Sequence, residues 1–165
     1  MSDLRIGPLE RVHQLDTFES GAEELDRWLH RFAQIADRAG TAKTYVLANG
    51  SQVLGYYALT PAAVNRRELP ERHARGMPAH PIGVILLARL TVDRSLQGQG
   101  YGRALMADAA LRTLQAAGLV SARAMLVHAR DERAAGFYER LGFTRSPTDA
   151  LHLMVLIKDL RRTFG

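Results

Sequence analysis

The chain has 165 residues, a formal net charge of +5 and 47% apolar composition, enough to bury one substantial core but too little for two ordinary domains, so a single domain over residues 1–165 is expected. No apolar run approaches the roughly 20 residues that span a bilayer, and Met1-Ser2-Asp3-Leu4-Arg5 lacks an apolar signal core, so a soluble, cytoplasmic protein without a membrane partner is expected. The absence of Cys removes disulfides, thiolate metal sites and cysteine nucleophiles together, which turns attention to direct transfer chemistry.

In chain order, Leu4 to Pro8 reads as a short first strand. Ser20-Gly21-Ala22-Glu23 has the Ser-x-x-Glu form of a capping box, and Leu25, Trp28, Leu29, Phe32, Ile35 and Ala36 recur at helical spacing until Gly40, with Trp28 and Phe32 expected in the core. Lys43 to Ala48 and Gln52 to Thr60 are two β-rich segments around Asn49-Gly50, a dipeptide that favours a type I′ hairpin turn, so they should pair antiparallel. Between Pro61 and Gly83 lie four of the six prolines together with Arg66, Arg67, Arg72, His73, Arg75 and His80, and no periodicity. A long, basic, irregular excursion is expected there, and loops of that length in small domains are usually functional or disordered.

Val84 to Val92 is apolar on both faces, as a central strand requires, and runs directly into Gln97-Gly98-Gln99-Gly100-Tyr101-Gly102. Helical spacing resumes at Ala104, Leu105, Ala109, Leu111 and Leu114 and ends near Gly118; Ala124 to Val127 comes next as a buried strand. A second helix covers about Asp131 to Arg140, and His152 to Ile157 is a late strand.

Glycines at 98, 100 and 102 at the start of a helix leave backbone N–H groups open to an anion, where the unpaired donors and the helix dipole both favour negative charge. The spacing G-x-G-x-G is neither a P-loop nor a dinucleotide fingerprint, so a phosphate cradle and a purely structural turn both remain open on this feature alone. Gln97-x-x-Gly100-x-Gly102 after Leu90-Thr91-Val92-Asp93 resembles the acetyl-CoA loop of the GNAT N-acetyltransferases, and Ala135-Gly136-Phe137-Tyr138-Glu139-Arg140-Leu141-Gly142-Phe143 resembles that family's second hallmark at the expected distance. The resemblance implies an α/β (α+β) fold in which a central, mixed and mostly antiparallel sheet, flanked by helices, splays after its central strand to admit the pantetheine arm. It further implies acetyl-CoA as co-substrate, main-chain contacts from Leu90, Thr91 and Val92, and a pyrophosphate held by Gln97, Gly98, Gln99, Gly100, Tyr101, Gly102 and Arg103. Tyr138 would stand beside the thioester sulfur and Phe137 would join the cofactor contacts, with Asp131 where the family often has Asn.

When an amine attacks a thioester, the departing thiolate needs a proton or a hydrogen bond, a task that suits Tyr138; the alternative is a Tyr that only packs on the sheet. Glu68, Glu71, Asp93 and His128 are possible bases, none singled out by sequence. An α-amine titrating near ~8 is about a tenth neutral at pH 7 and so needs less help than a Lys near ~10.4. His73, His80, His128 and His152 show no metal-ligand spacing, and no metal is expected.

A narrower resemblance rests on Phe18-Glu19-Ser20-Gly21, Leu25-Asp26-Arg27-Trp28-Leu29, Gly55-Tyr56-Tyr57-Ala58-Leu59, Leu87-Ala88-Arg89-Leu90-Thr91-Val92-Asp93, Val127-His128-Ala129-Arg130-Asp131 and Ser146-Pro147. These are similar, in order, to segments of the TacT and AtaT type of acetyltransferase toxins from type II toxin-antitoxin modules. That group acetylates the α-amine of aminoacyl-tRNA and so blocks translation; it implies a ribbon-helix-helix antitoxin and a homodimer. All but two of the 22 basic residues are Arg, a bias that GC-rich coding would also produce. On the tRNA reading, Arg31, Arg38, Lys43, Arg66, Arg67, Arg72, Arg75 and Arg89 contact phosphates; ordinary solvated cations are the competing reading, and for Arg89 a structural ion pair. Acetylation of a peptide N-terminus or a small-molecule amine, and non-catalytic acetyl-CoA binding, also stay open.

Overall fold

The structure, a computed structural model, describes residues 3–165. Its strands form a seven-stranded mixed sheet in the order β1-β2-β3-β4-β5-β7-β6, with helices α1–α6 between and after them. The strands are β1 (Leu4–Pro8), β2 (Lys43–Asn49), β3 (Gln52–Val64), β4 (Ile82–Val92), β5 (Ala124–His128), β6 (Thr144–Arg145) and β7 (His152–Leu156). The helices are α1 (Glu23–Arg31), α2 (Ala33–Ala39), α3 (Glu71–Ala74), α4 (Tyr101–Leu119), α5 (Glu132–Arg140) and α6 (Ile157–Phe164). The chain divides into two compact units, one of residues up to 60 with 88–109 and one of residues 61–87 with 110–165.

In the first unit, β1 pairs antiparallel with β2, and β2 with β3. The hairpin expected around Asn49-Gly50 forms, but its turn is not type I′. Asn49 is still in the ladder opposite Gln52, the two loop residues are Gly50 and Ser51, and only Gly50 has positive φ (62°). A type I′ turn needs positive φ at both central positions; positive φ at the first alone is the pattern of type II′. Between Leu47 and Ala48 the register slips by one residue, a bulge that sets Leu54 outside the β2 ladder. Its carbonyl accepts the Asp93 N–H at 2.8 Å, tying the end of β4 to β3.

The long helix expected from Ser20 to Gly40 is two helices. Phe32 sits at the junction with φ −119°, off the helical value, which shifts the phase of α2 relative to α1. Phe32 and Ile35 are therefore 48% and 61% exposed, correcting the core assignment of Phe32, while Trp28 stacks on Tyr56 at 5.9 Å and packs against the core of Phe18, Leu29, Val46 and Val53. Nor is Ser20 the helix cap: Ala22 is the N-cap residue, and no side chain caps α1.

The second unit corrects the excursion expected between Pro61 and Gly83. β3 runs on to Val64, a 3-10 turn covers Arg66–Glu68, α3 comes after it, and residues 65, 69, 70 and 75–81 lie outside helix and strand. Apolar anchors explain the order: Leu69 is 2% exposed and packs with Val64, Ile82, Val84 and Met154. The 3-10 turn is closed by a capping box in which the Glu68 carboxylate accepts the Asn65 N–H. β4 pairs with β5 in parallel over Ile85–Leu87 against Met125–Val127, and β5 and β6 both pair antiparallel with β7. The two-residue β6 and the helix α6 were not expected, although Ile157, Leu160 and Phe164 carry a helical spacing that places Leu160 in the core.

Candidate active site

In the first unit, β4 ends at Val92 and Asp93 turns the chain. The Asp93 carboxylate accepts the Ser95 N–H (3.0 Å) and hydroxyl (2.8 Å) on one oxygen and the Glu19 N–H (3.0 Å) on the other, holding the 3-10 turn Arg94–Leu96. Burial, the largest single influence, would raise its pKa, but the hydrogen bonds from Glu19 and Ser95 and the charge of Arg94 together hold it below the ordinary carboxylate range. A carboxylate so engaged is a poor base.

Next comes the glycine segment. Gly98 (φ 77°) and Gly100 (φ 89°) adopt the left-handed region that glycine alone enters without cost, and α4 begins at Tyr101. The Ala104 N–H to Gly100 carbonyl bond (3.1 Å) opens the helical ladder, so the amides of Tyr101, Gly102 and Arg103 precede it and carry the positive end of a 19-residue helix. Gln97 to Gly100 and Arg103 are exposed, with Tyr101 and Gly102 half-buried. A Cβ placed on Gly98, Gly100 or Gly102 would meet no atom within 4 Å, so the space over this segment is open. Along β4, Ala88 to Thr91 are only half-buried, unusual for an inner strand, whereas Val92 is buried. The Gln97 side chain does not reach outward: its amide nitrogen donates to the carbonyls of Ser20 (2.7 Å) and Val92 (2.8 Å).

In the second unit, α5 carries Phe137 and Tyr138. Asp131 is its N-cap, its carboxylate accepting the Ala134 N–H at 2.9 Å, a job that Asp and Asn perform equally well. Arg145 of β6 clamps the outer face of the helix, donating to Glu132 (2.8 Å) and Glu139 (3.0 Å). Tyr138 is 7% exposed, its ring edge-on to Phe137 (5.2 Å) and Phe143 (5.7 Å). Its hydroxyl makes no hydrogen bond to another described residue and is not sealed from solvent. Burial pushes its pKa well above the ordinary phenol value, so it stays protonated at neutral pH. His128 stacks on His152 (3.9 Å); burial and its neighbour His152 lower its pKa, leaving it neutral. Glu68 is occupied by Asn65, and Glu71 lies exposed in α3.

The eight cations read as phosphate contacts fall in both units. In the first, Arg31 lines an open cleft of about 460 Å³ with Glu19, Asp26, His30 and Arg94. Arg38 is exposed, Lys43 pairs with Asp37 at 3.6 Å, and the Arg89 guanidinium lies over the Trp28 ring at 4.3 Å. In the second, Arg67 and Arg75 are exposed, Arg66 donates to the Met77 carbonyl (3.1 Å) and Arg72 pairs with Asp159 (2.8 Å). Ser20, Asp26 and Arg145, which order these elements, were not singled out as site residues; the toxin-like segments include the first two, and Ser20 also carried the capping-box pattern. No group of three or more His, Asp or Glu side chains among the described residues could hold a metal ion.

A sheet with this strand order, a glycine turn opening α4 and a Tyr-bearing α5 define an acetyltransferase of the GNAT class, and residues 40–145 match the model of the acetyltransferase (GNAT) domain. A tRNA-acetylating toxin of Mycobacterium tuberculosis (strain ATCC 25618 / H37Rv) is 43% identical over 149 residues, covering 90% of this chain and 89% of the toxin. Among solved structures, AtaT complexed with acetyl-methionyl-tRNAfMet superposes with a TM-score of 0.90 at 31% identity, covering 99% of this chain and 100% of that one. A tyrosine-to-phenylalanine mutant of AtaT bound to the C-terminus of the antitoxin AtaR and acetyl-CoA gives 0.84 at 31% identity, covering 98% of each chain. The chain belongs to the GNAT acetyltransferases, in their branch of tRNA-acetylating toxins.

Proposed function

We propose that this chain transfers the acetyl group of acetyl-CoA to the α-amine of aminoacyl-tRNA, blocking translation, with Tyr138 as the proton donor. The observation that carries the chemistry is the Tyr138 hydroxyl: fixed by two aromatic neighbours and burial, protonated at neutral pH, and without a partner among the described residues. Such a group is free to meet charge that develops only during reaction. Acetyl-CoA supplies an activated acyl carbon and a sulfur leaving group. The amides and open space at Gly98 to Arg103 suit its pyrophosphate. Leu90 and Thr91, half-buried residues of β4, offer main-chain groups for its amide-bearing arm, together with Val92, whose carbonyl already accepts from Gln97. Phe137 walls Tyr138, and Asp131 acts through capping α5.

No strong base is needed, since the α-amine is already partly neutral near pH 7. The exposed Arg31, Arg38, Arg67 and Arg75, with Lys43, Arg66 and Arg72 in partial use, supply sequence-independent attraction to phosphates, while Arg89 is held by Trp28 beside the donor strand. The reading takes residues 1–165 as one GNAT domain, since β3, β4 and α4 each run through both units. It adds a homodimer, a ribbon-helix-helix antitoxin and cytoplasmic residence. No helix among the described residues is long and apolar enough to cross a membrane. The relatives' tRNA and antitoxin complexes support the partners at the level of class.

The test is incubation with labelled acetyl-CoA and total charged or uncharged tRNA. Label on charged tRNA alone is expected. Transfer only to peptides or small amines would replace the tRNA reading, and acetyl-CoA binding without any transfer would leave a non-catalytic module.

A further inference from the structure

Ser20, Asp26 and the Gln97 side chain form one network in the first unit that the chemistry above does not use. Asp26 is 9% exposed in the first turn of α1, and burying a carboxylate is costly unless its oxygens are satisfied. They are satisfied by a single residue: both oxygens accept the Ser20 N–H (3.1 Å each), and one also accepts the Ser20 hydroxyl (2.6 Å). That hydroxyl in turn accepts the Ala22 N–H (3.1 Å). Ser20 is thus held at three points, and its remaining main-chain group, the carbonyl, receives the Gln97 amide at 2.7 Å. The second Gln97 donor goes to Val92 (2.8 Å), so the residue at the head of the glycine segment bridges β4 and the clamped Ser20. Glu19, one residue earlier, runs alongside: its N–H donates to Asp93 (3.0 Å) and its carbonyl accepts the Arg94 N–H (2.9 Å).

We infer that Asp26 is a positioning residue for acetyl-CoA: by clamping Ser20 it sets the carbonyl that anchors Gln97, and so pre-orders residues 97–103 before ligand arrives. Glycines at 98 and 100 make this segment intrinsically loose, so order imposed by the fold removes a cost that binding would otherwise bear. The inference rests on the reading that residues 97–103 hold the pyrophosphate. It accounts for the Phe18-Glu19-Ser20-Gly21 and Asp26 motif as the splint of the donor loop.

The experiment is calorimetric titration of acetyl-CoA into the wild type, Asp26→Asn, Ser20→Ala, Gln97→Met, the double variant of Asp26→Asn with Gln97→Met, Gly100→Ala, and Leu160→Ala as a destabilised control in the second unit. Asp26→Asn and Gln97→Met should each weaken binding about tenfold, the value of roughly one good hydrogen bond, and the double variant should lose no more than either. KM for acetyl-CoA should rise in step while kcat and KM for charged tRNA hold, and amides 97–103 should exchange faster in the free variants. Leu160→Ala should lose stability and keep its affinity. Ser20→Ala should weaken binding in the same direction and stands in if Asp26→Asn does not fold. Wild-type affinity in Asp26→Asn or Ser20→Ala, losses that multiply in the double variant, or equal weakening by Leu160→Ala would overturn the inference. If Gly100→Ala also binds normally, the loop assignment itself falls.

Discussion

Tyr138 shows how a single residue's environment sets its chemistry. Nothing charged lies behind the upward shift of its pKa; desolvation alone raises it, because an anionic phenolate in that setting would lose its water. The sign favours a donor: the hydroxyl keeps its proton across the working range instead of beginning to ionise toward ~10. Between pH 6 and 10, kcat/KM should therefore rise as the substrate amine near ~8 loses its proton, without a descending limb from Tyr138. A stopped assay across that range checks it, and a fall centred below pH 9.5 would contradict the assignment. Tyr138→Phe should lower kcat roughly a hundredfold or more while acetyl-CoA affinity stays within about twofold.

At the scale of elements, the glycine turn and α4 form one device, but its glycines are not equivalent. Gly100 has φ 89°, so Gly100→Ala should cost about 1–2 kcal/mol of backbone strain and weaken acetyl-CoA binding. Gly102 lies inside α4 without positive φ and with open space around its Cβ position. Gly102→Ala should be neutral or raise Tm by about 1–2 °C, on a helix gain of up to ~0.5 kcal/mol, with binding retained. Thermal melts and titrations of the pair decide it; equal damage from both would place the requirement in ligand approach. The elements that order the site were partly legible: β4, the glycine turn, α4 and α5 all emerge from local apolar period and glycine placement. The break at Phe32 and the role of Ser20 were not, since a capping box and a buried clamp read alike until Asp26 is brought to Ser20 by the turn at Gly21.

For the molecule as a whole, acid stability depends on histidines that the fold keeps neutral. His73 is 3% exposed with an unpartnered Nδ1; burial lowers its pKa, with Arg72 and Arg123 adding to the effect and Asp159 opposing it. The unfolded chain takes up a proton near pH ~6.5 that the fold refuses, so stability is full above that value and falls as pH drops toward and through the folded pKa. Tm should decline from pH 6.5 to 5, before the carboxylates titrate, and less steeply in His73→Leu; His128, lowered for the same first reason, supplies the residual slope. An unchanged slope in the variant would remove His73 from the account.

Local rules acting on the sequence alone determined the strand and helix periods, the glycine turn before a long helix, the Tyr of α5 and, through the resemblance those motifs carry, the acetyltransferase class, because each depends on residues within a few positions of one another. Tertiary structure decided what depends on distant partners: that Pro61 to Gly83 is ordered by burial of Leu69 and His73, that Arg72 and Arg89 are held by Asp159 and Trp28, and that Gln97 turns inward to Ser20. Burial and hydrogen-bond satisfaction are properties of three-dimensional neighbourhoods, and residues 77 positions apart meet only when the chain has folded.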